Sequence, residues 1–231
     1  NAVKSSGLEK KQTQIFVTNP AMFKFYEKQN RGITQMRKRY IDIYFKGTIW
    51  AGMRENMFSY FKGINNTKLT CLIEKNNDYW GWRLNGHNKP THVEIEKEAF
   101  KTYEVMENAL LCLCPKGNGN SSMRIIEALA CGSVPILIND FSAPFGLDWN
   151  EICLVFDTRI HKWEYIYTEC KKLLADGEKL SNMQKKGFEY FKNIIYSDAQ
   201  LPGFHMYKDI NTVCFGFSNK IIDKLLHMNP H

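Results

Sequence analysis

Long apolar runs are missing from this sequence: none approaches the roughly 20 residues that a membrane-spanning helix needs. The first residues also lack the pattern of a signal peptide, so we expect a soluble chain. The seven cysteines form no CxxC pair and mostly stand inside apolar segments. This usage is typical of small apolar side chains in a reducing compartment, and it argues against a zinc site or a disulfide framework. We therefore predict a cytoplasmic chain.

Excess charge is absent from most of the chain. The net charge is +7, but residues 1–50 hold ten Lys or Arg against three Asp or Glu, and the remaining residues carry equal numbers of each sign. A basic leading segment is compatible with nucleic acid, with an anionic surface or with a solvated face. A nucleic-acid-binding protein is thus one functional alternative.

Length and composition fit one large domain or two small ones. The 231 residues, 44% of them hydrophobic, are enough to bury a substantial core. The first stretch carries a short aromatic helix pattern at residues 21–28 and is too short for an α/β domain of its own. We predict an amino-terminal segment over residues 1–37, interpreted as the remnant of a second lobe, and an α/β domain with carboxyl-terminal helices over residues 38–231.

Strand and helix patterns alternate along that domain. Strands are predicted at residues 40–45, 69–73, 110–114, 134–138 and 151–156. Helices are predicted at residues 54–61, 94–108, 162–175, 178–193 and 218–227. Regular alternation of this kind predicts a doubly wound, mostly parallel sheet with a Rossmann-like topology.

The stretch over residues 110–138, LLCLCPKGNGNSSMRIIEALACGSVPILI, is the most informative part of the chain. It reads as a buried strand, a glycine-rich turn, a helix capped by Ser121 or Ser122, a stop at Gly132 and a second buried strand. Such a βαβ unit has parallel strands, and its turn presents free backbone N–H groups at the helix N-terminus. We therefore expect an anion, most naturally a phosphate, to bind there.

Two charged residues on that helix fit a nucleotide. Arg124, in the first turn, offers a forked positive charge for phosphate, and Glu127, one turn later, can accept hydrogen bonds from a ribose. The alternative is a simple surface ion pair between positions i and i+3. The glycine-rich turn before them favours the nucleotide.

These motifs resemble the exostosin-like glycosyltransferases. The resemblance covers about residues 39–156 and rests on residues 113–117, 122–136, 144–145 and 148–149, with an upstream strand, Gly47 and Arg54. Members transfer a sugar from a nucleotide diphosphate, usually UDP, to a glycan with inversion, and they bind the donor in the carboxyl-terminal half of a GT-B fold. The resemblance implies that the donor site consists of Gly47, Arg54, Lys116, Gly117, Asn118, Gly119, Asn120, Ser121, Ser122, Arg124 and Glu127.

The resemblance also implies a mechanism. Retaining relatives carry an acidic residue eight positions before the ribose-binding glutamate, where this chain has Gly119. A single displacement follows, in which Arg124 and Arg54 stabilise the leaving diphosphate and no metal or other cofactor takes part. The general base is not identified: Asp140, Asp148, His87 and His92 stand near relevant loops but suit turn, cap or surface roles better.

The resemblance leaves three matters open. By analogy, the donor is UDP-xylose or another UDP-sugar of plant-like glycans. The partners are then a UDP-sugar and a glycan acceptor, with neither nucleic acid nor a membrane span. A domain that binds UDP but has lost catalysis is the second functional alternative. Because family members commonly sit behind a membrane anchor, the Golgi lumen is the alternative location.

Overall fold

The computed structural model describes residues 15–18, 20–29, 39–49, 52–64, 69–75, 91–117, 122–139, 149–196 and 213–216. The strands are β1 (Ile15–Thr18), β2 (Ile41–Gly47), β3 (Cys71–Lys75), β4 (Ala109–Pro115), β5 (Val134–Ile138), β6 (Leu154–Phe156) and β7 (Val213–Gly216). The α-helices are α1 (Pro20–Gln29), α2 (Met53–Gly63), α3 (His92–Met106), α4 (Met123–Ala130), α5 (Trp163–Ala175) and α6 (Gly177–Tyr190). A 3₁₀ turn (Trp149–Glu151) precedes β6, and a π-helical segment (Phe191–Tyr196) continues α6.

Five of the strands form one parallel sheet in the order β3-β2-β4-β5-β6. Helices α1, α3 and α4 cover one face, and α2 and α5 cover the other. The predicted doubly wound α/β sheet is confirmed. In this order the chain turns outward from β2 to β3 and then returns to the other side of β2 as β4. The crevice between the carboxyl ends of β2 and β4 is therefore the topological switch point, where open α/β sheets bind ligands.

The structure of strand β4 explains why the sequence shows an unbroken apolar run at residues 110–114. Its side chains alternate between the two faces: Cys112 and Cys114 belong to the core under α4, and Leu111 and Leu113 belong to the core under α2 and α5. All four are fully buried. A central parallel strand is covered on both faces, so every position along it is apolar.

The predicted central βαβ unit is confirmed, with one correction. Strands β4 and β5 pair in parallel, and α4 joins them as expected. Gly132 ends the helix with a φ of +67°, a left-handed conformation that glycine adopts without steric cost. Ser122 stands at the N-cap position with an extended backbone, but its side chain makes no capping hydrogen bond.

Other boundaries differ by a few residues. The last strand of the sheet is shorter than predicted because residues 149–151 form the 3₁₀ turn. Helix α3 starts earlier than predicted because Thr91 caps it: the Thr91 hydroxyl accepts from the Glu94 N–H at 3.3 Å, and the Thr91 N–H donates to the Glu94 carboxylate at 2.8 Å. The helix predicted at 218–227 lies outside the described residues.

The amino-terminal helix packs on the same core as the sheet. In α1, Ala21, Met22 and Phe25 are buried in the cluster that includes side chains of α3 and α4. Strand β1 pairs antiparallel with β7 as a separate two-stranded ribbon. The division at residue 38 stays a prediction, but burial of α1 ties this part of the leading segment to the domain.

Two global properties of the described residues bear on function. No helix among them is both long and apolar enough to cross a bilayer. Six cysteines have described side chains, and all six are buried. Their burial agrees with the prediction that they act as small apolar residues.

Candidate functional site

Arg54 closes the switch point between β2 and β4. Its Nη1 donates to the Thr48 carbonyl, 3.0 Å away, immediately beyond β2. Its Nη2 and Nε donate to the carbonyls of Pro115 and Lys116, both at 3.1 Å, where β4 ends. Each of the three guanidinium nitrogens thus holds a carbonyl, so Arg54 fixes the start of the glycine-rich turn. Its planar fork suits this task because the carbonyls lie on two different strands.

Arg124 and Glu127 meet in the first turns of α4, just after that turn. Arg124 Nη1 lies 2.6 Å from Glu127 Oε2, with side chains 22% and 4% exposed. The pair foreseen as an alternative does form, but it is largely buried instead of lying on the surface. The contact has the distance of an ion pair without hydrogen-bond alignment, because Glu127 Oε2 has no hydrogen-bond partner among the described residues.

The charges of this pair are coupled to each other and to the interior. Burial raises the pKa of Glu127, and the charge of Arg124 and a hydrogen bond from Tyr103 oppose that rise. Burial is the largest influence on the pKa of Arg124 and lowers it, but the Glu127 carboxylate, together with Tyr44, Cys112 and Tyr103, outweighs burial and raises this pKa. Arg124 is therefore a permanent cation at the edge of the core.

Arg54 and Arg124 place two positive charges within electrostatic reach of each other. Burial lowers the pKa of Arg54, and the charge of Arg124 lowers it further. Glu127 neutralises one of the two, while the first N–H groups of α4 add positive potential at the same edge. An anion placed there would relieve the repulsion between the two guanidinium groups.

Two tyrosines complete the site, and neither was predicted from the sequence to belong to it. Tyr103, on α3, donates its hydroxyl to Glu127 Oε1 at 3.0 Å and is 1% exposed. Tyr44, on β2, is fully buried, and its hydroxyl has no hydrogen-bond partner among the described residues. The only available signal was that Tyr103 lies on the apolar side of a predicted helix, where a buried phenol needs a polar partner.

The neighbouring strand end is held by Asn139. This residue follows β5 with a φ of +55°, and its backbone N–H donates to the Phe156 carbonyl at 2.9 Å. Its side chain exchanges two hydrogen bonds with Thr158, at 2.6 and 2.7 Å. The carboxyl ends of β5 and β6 are therefore locked together beside the candidate site.

The remaining predicted site residues fall into three groups. Gly47 ends β2, and a Cβ there would lie 2.9 Å from the Phe45 ring. The Phe45 ring therefore leaves no space for a larger side chain at residue 47. Lys116 and Gly117 follow β4, and the Lys116 N–H donates to Ile138 O at 2.9 Å. Lying outside the described residues are Asn118, Gly119, Asn120 and Ser121, together with His87, Asp140 and Asp148. The side chain of His92, the first residue of α3, is also outside them.

The structure thus brings Gly47, Arg54, Lys116, Gly117, Ser122, Arg124 and Glu127 to one edge of the sheet. No group of three or more His, Cys, Asp or Glu side chains able to hold a metal ion occurs in the described part of the chain. This arrangement therefore forms a positively charged, partly buried site with one carboxylate acceptor beside it.

Comparison with known proteins gives a family for this site. The family model of the exostosin GT47 domain matches residues 10–164, which include the whole switch point. Bovine (Bos taurus) exostosin-1 is 29% identical over 82 residues, covering 34% of this chain and 11% of its own length. The exostosin-1 homolog of Caenorhabditis elegans is 27% identical over 141 residues, covering 58% of this chain and 35% of the homolog.

Two further matches are another exostosin and a solved structure. Exostosin-1b of Danio rerio is 32% identical over 122 residues, covering 51% of this chain and 16% of its own length. A solved structure of a pneumococcal O-GlcNAc transferase in complex with UDP and GlcNAc aligns with a TM-score of 0.38 and 11% identity, covering 82% of this chain and 37% of that one. The chain spans only about a tenth to a third of the curated relatives named here. Because the family model covers more than half of the chain, the chain belongs to the exostosin GT47 family of glycosyltransferases.

Proposed function

We propose that this chain binds a UDP-sugar at the β2–β4 switch point and transfers its sugar to a glycan hydroxyl, with inversion and without a metal or other cofactor. It acts in this proposal as the donor-binding half of a GT-B enzyme. The observation that carries it is the Arg124–Glu127 pair, which sets a cation for diphosphate and an acceptor for ribose one turn apart on α4.

The positively charged site supports the diphosphate assignment. The leaving UDP gains negative charge on its β-phosphate as the bond to the sugar breaks. Arg124 and the α4 N-terminus are fixed before the reaction starts, so they can stabilise that charge without reorganising. Arg54 contributes its charge from behind the turn, since its N–H groups already hold three carbonyls.

The chemical step that we propose is one displacement at the anomeric carbon. The acceptor hydroxyl oxygen forms the new glycosidic bond as the anomeric carbon–phosphate oxygen bond breaks. The hydroxyl proton passes to a general base, and UDP takes the bonding electron pair. The base is not assigned to a residue of this chain. One displacement inverts the configuration at the anomeric carbon.

The donor sugar that we propose first is UDP-xylose, by analogy alone. A panel of UDP-xylose, UDP-glucose, UDP-galactose and UDP-GlcNAc tests this, with UDP release as the readout and water as the acceptor when no glycan is added. We expect one donor to be preferred, with the product sugar in the inverted configuration by NMR and no effect of EDTA. The substitution Arg124→Ala should lower kcat/KM about 100-fold or more.

The alternatives give different outcomes. UDP binding without sugar release from any donor would favour the inactive nucleotide-binding domain. A product of retained configuration would contradict inversion, and loss of activity in EDTA would contradict metal independence. Strongly salt-dependent binding of polynucleotides without UDP binding would favour the nucleic-acid alternative. The cellular location, cytoplasm or Golgi lumen, stays a prediction that microscopy of the tagged protein tests.

A further inference from the structure

The carboxylate of Glu127 has its two oxygens divided between different neighbours. Oε1 accepts the hydrogen bond from Tyr103, and Oε2 lies beside Arg124 with no hydrogen-bond partner in the described part of the chain. A carboxylate oxygen has two lone pairs, so Oε2 keeps room for a further donor. Oε2 is thus a buried oxygen with unused acceptor capacity, which the hydroxyl of a bound ribose would satisfy.

A glutamate in this position has a competing arrangement. Rotation about the last side-chain torsion of Glu is soft, and Arg prefers to bind a carboxylate with two parallel N–H···O bonds. If Glu127 turned to form that fork with Arg124, Oε1 would move from Tyr103 to the guanidinium, and two guanidinium N–H groups would bind the carboxylate instead of a phosphate. The hydrogen bond from Tyr103 opposes this rotation by holding Oε1 on the other side.

Tyr103 is itself firmly held. Its side chain is buried, and its ring lies against Phe25 of α1 with the ring centres 5.4 Å apart. Its backbone carbonyl accepts from the Cys131 thiol at 3.7 Å, just beyond α4. Tyr103 is thus held at its ring, its hydroxyl and its backbone. A tyrosine held in this way can keep the Glu127 carboxylate in place while Arg124 binds a phosphate.

We infer that Tyr103 is a positioning residue for the donor: its hydroxyl keeps Glu127 from closing a two-bond fork with Arg124, which leaves Oε2 for the ribose and the guanidinium for the diphosphate. This inference rests on the proposed function. It assigns Tyr103 an effect on ribose recognition through Oε2, in addition to an effect on the charge that Arg124 offers to the diphosphate. It also makes α1, which supports the Tyr103 ring, part of the donor site.

The test compares UDP with 2′,3′-dideoxy-UDP by calorimetry, on the full chain and on Tyr103→Phe. The wild-type chain should bind UDP about tenfold more tightly than the dideoxy analogue, the factor typical of one hydrogen bond to a charged group. In Tyr103→Phe this ratio should fall to about twofold or less, mainly through weaker UDP binding. A general loss of structure would instead weaken both ligands equally.

The matched control is Tyr60→Phe, which removes a hydroxyl from α2 on the opposite face of the sheet. It should leave the ratio unchanged. In the background of Glu127→Gln, Tyr103→Phe should have no further effect on the ratio, because the two residues act as one unit. If Tyr103→Phe does not fold, Phe25→Leu loosens the same ring and should lower the ratio in the same direction.

The outcomes distinguish failure of the proposed function from failure of the positioning role of Tyr103. A wild-type chain that binds no UDP overturns the proposed function, and this inference with it. Binding of UDP with an unchanged ratio in Tyr103→Phe overturns the positioning role alone. A wild-type chain that does not distinguish the two nucleotides also overturns it, because Glu127 would then not read the ribose.

Discussion

Replacement of Arg54 by Lys tests whether this side chain is a backbone clamp. Arg54 donates to the carbonyls of Thr48, Pro115 and Lys116 at 3.0 to 3.1 Å, joining the ends of two strands. A Lys ammonium keeps the charge, but it is compact and cannot reach carbonyls on both strands at once. Arg54→Lys should therefore lose about two of the three hydrogen bonds while changing the local charge very little.

The magnitude follows from the exposure of the clamp. Hydrogen bonds from charged groups contribute about 1.5–3 kcal/mol each when buried. Water partly reaches these three, so we assign about 1 kcal/mol to each and expect Arg54→Lys to lower the free energy of unfolding by about 2 kcal/mol. With an m-value of about 2 kcal/mol/M, the urea midpoint should fall by about 1 M.

The assay is urea unfolding followed by tryptophan fluorescence, together with calorimetric titration of UDP. The control is Arg159→Lys, since Arg159 pairs with Asp157 on the surface and is 80% exposed; its midpoint should stay that of the wild-type chain. We expect Arg54→Lys to bind UDP more weakly because its turn is less firmly anchored. A wild-type midpoint combined with complete loss of UDP binding would refute the clamp and make Arg54 a direct ligand of the donor.

Three further substitutions can be measured in the same unfolding assay. Gly132→Ala should lower the free energy of unfolding by about 1–2 kcal/mol, because φ is +67° and the new Cβ would lie 2.8 Å from Arg39 Nη2; an unchanged midpoint would show that the turn relaxes freely. Tyr44→Phe should be neutral or stabilise by up to about 1 kcal/mol, since it removes a buried hydroxyl that no described residue pairs with by a hydrogen bond; a clear loss would reveal a partner for that hydroxyl. Asn139→Ala should destabilise by about 2 kcal/mol and Asn139→Gly by about half as much, because only the alanine adds strain at φ +55° to the lost hydrogen bonds with Thr158; equal losses would show that strain is unimportant.

The sheet was predictable from the sequence because its signals are local. The apolar run of β4, the helical spacing of α4 and the glycine after it each act within a few residues. Their order along the chain then restricts the topology to a doubly wound sheet. The same locality explains why Arg124 and Glu127 could be picked out: they lie three residues apart on one helix face.

The partners of these residues were not predictable for the same reason. Tyr103 is 24 residues from Glu127 along the chain, and their contact depends on how α3 packs beside α4. Arg54 was expected to act on the donor, but its three acceptors are backbone carbonyls, which have no sequence signature. The burial of α1 was missed because a short aromatic helix looks the same whether or not a core lies next to it.

The most direct test of the donor site is calorimetric titration of the full chain with UDP, beside the variants Arg124→Ala and Lys172→Ala. The second variant removes a positive charge that is 68% exposed on α5, so it controls for net charge. We predict saturable one-to-one binding by the wild-type chain and by Lys172→Ala, and binding at least about tenfold weaker by Arg124→Ala. No UDP binding by the wild-type chain, or equal binding by all three proteins, would contradict the assignment of the donor site to the first turn of α4.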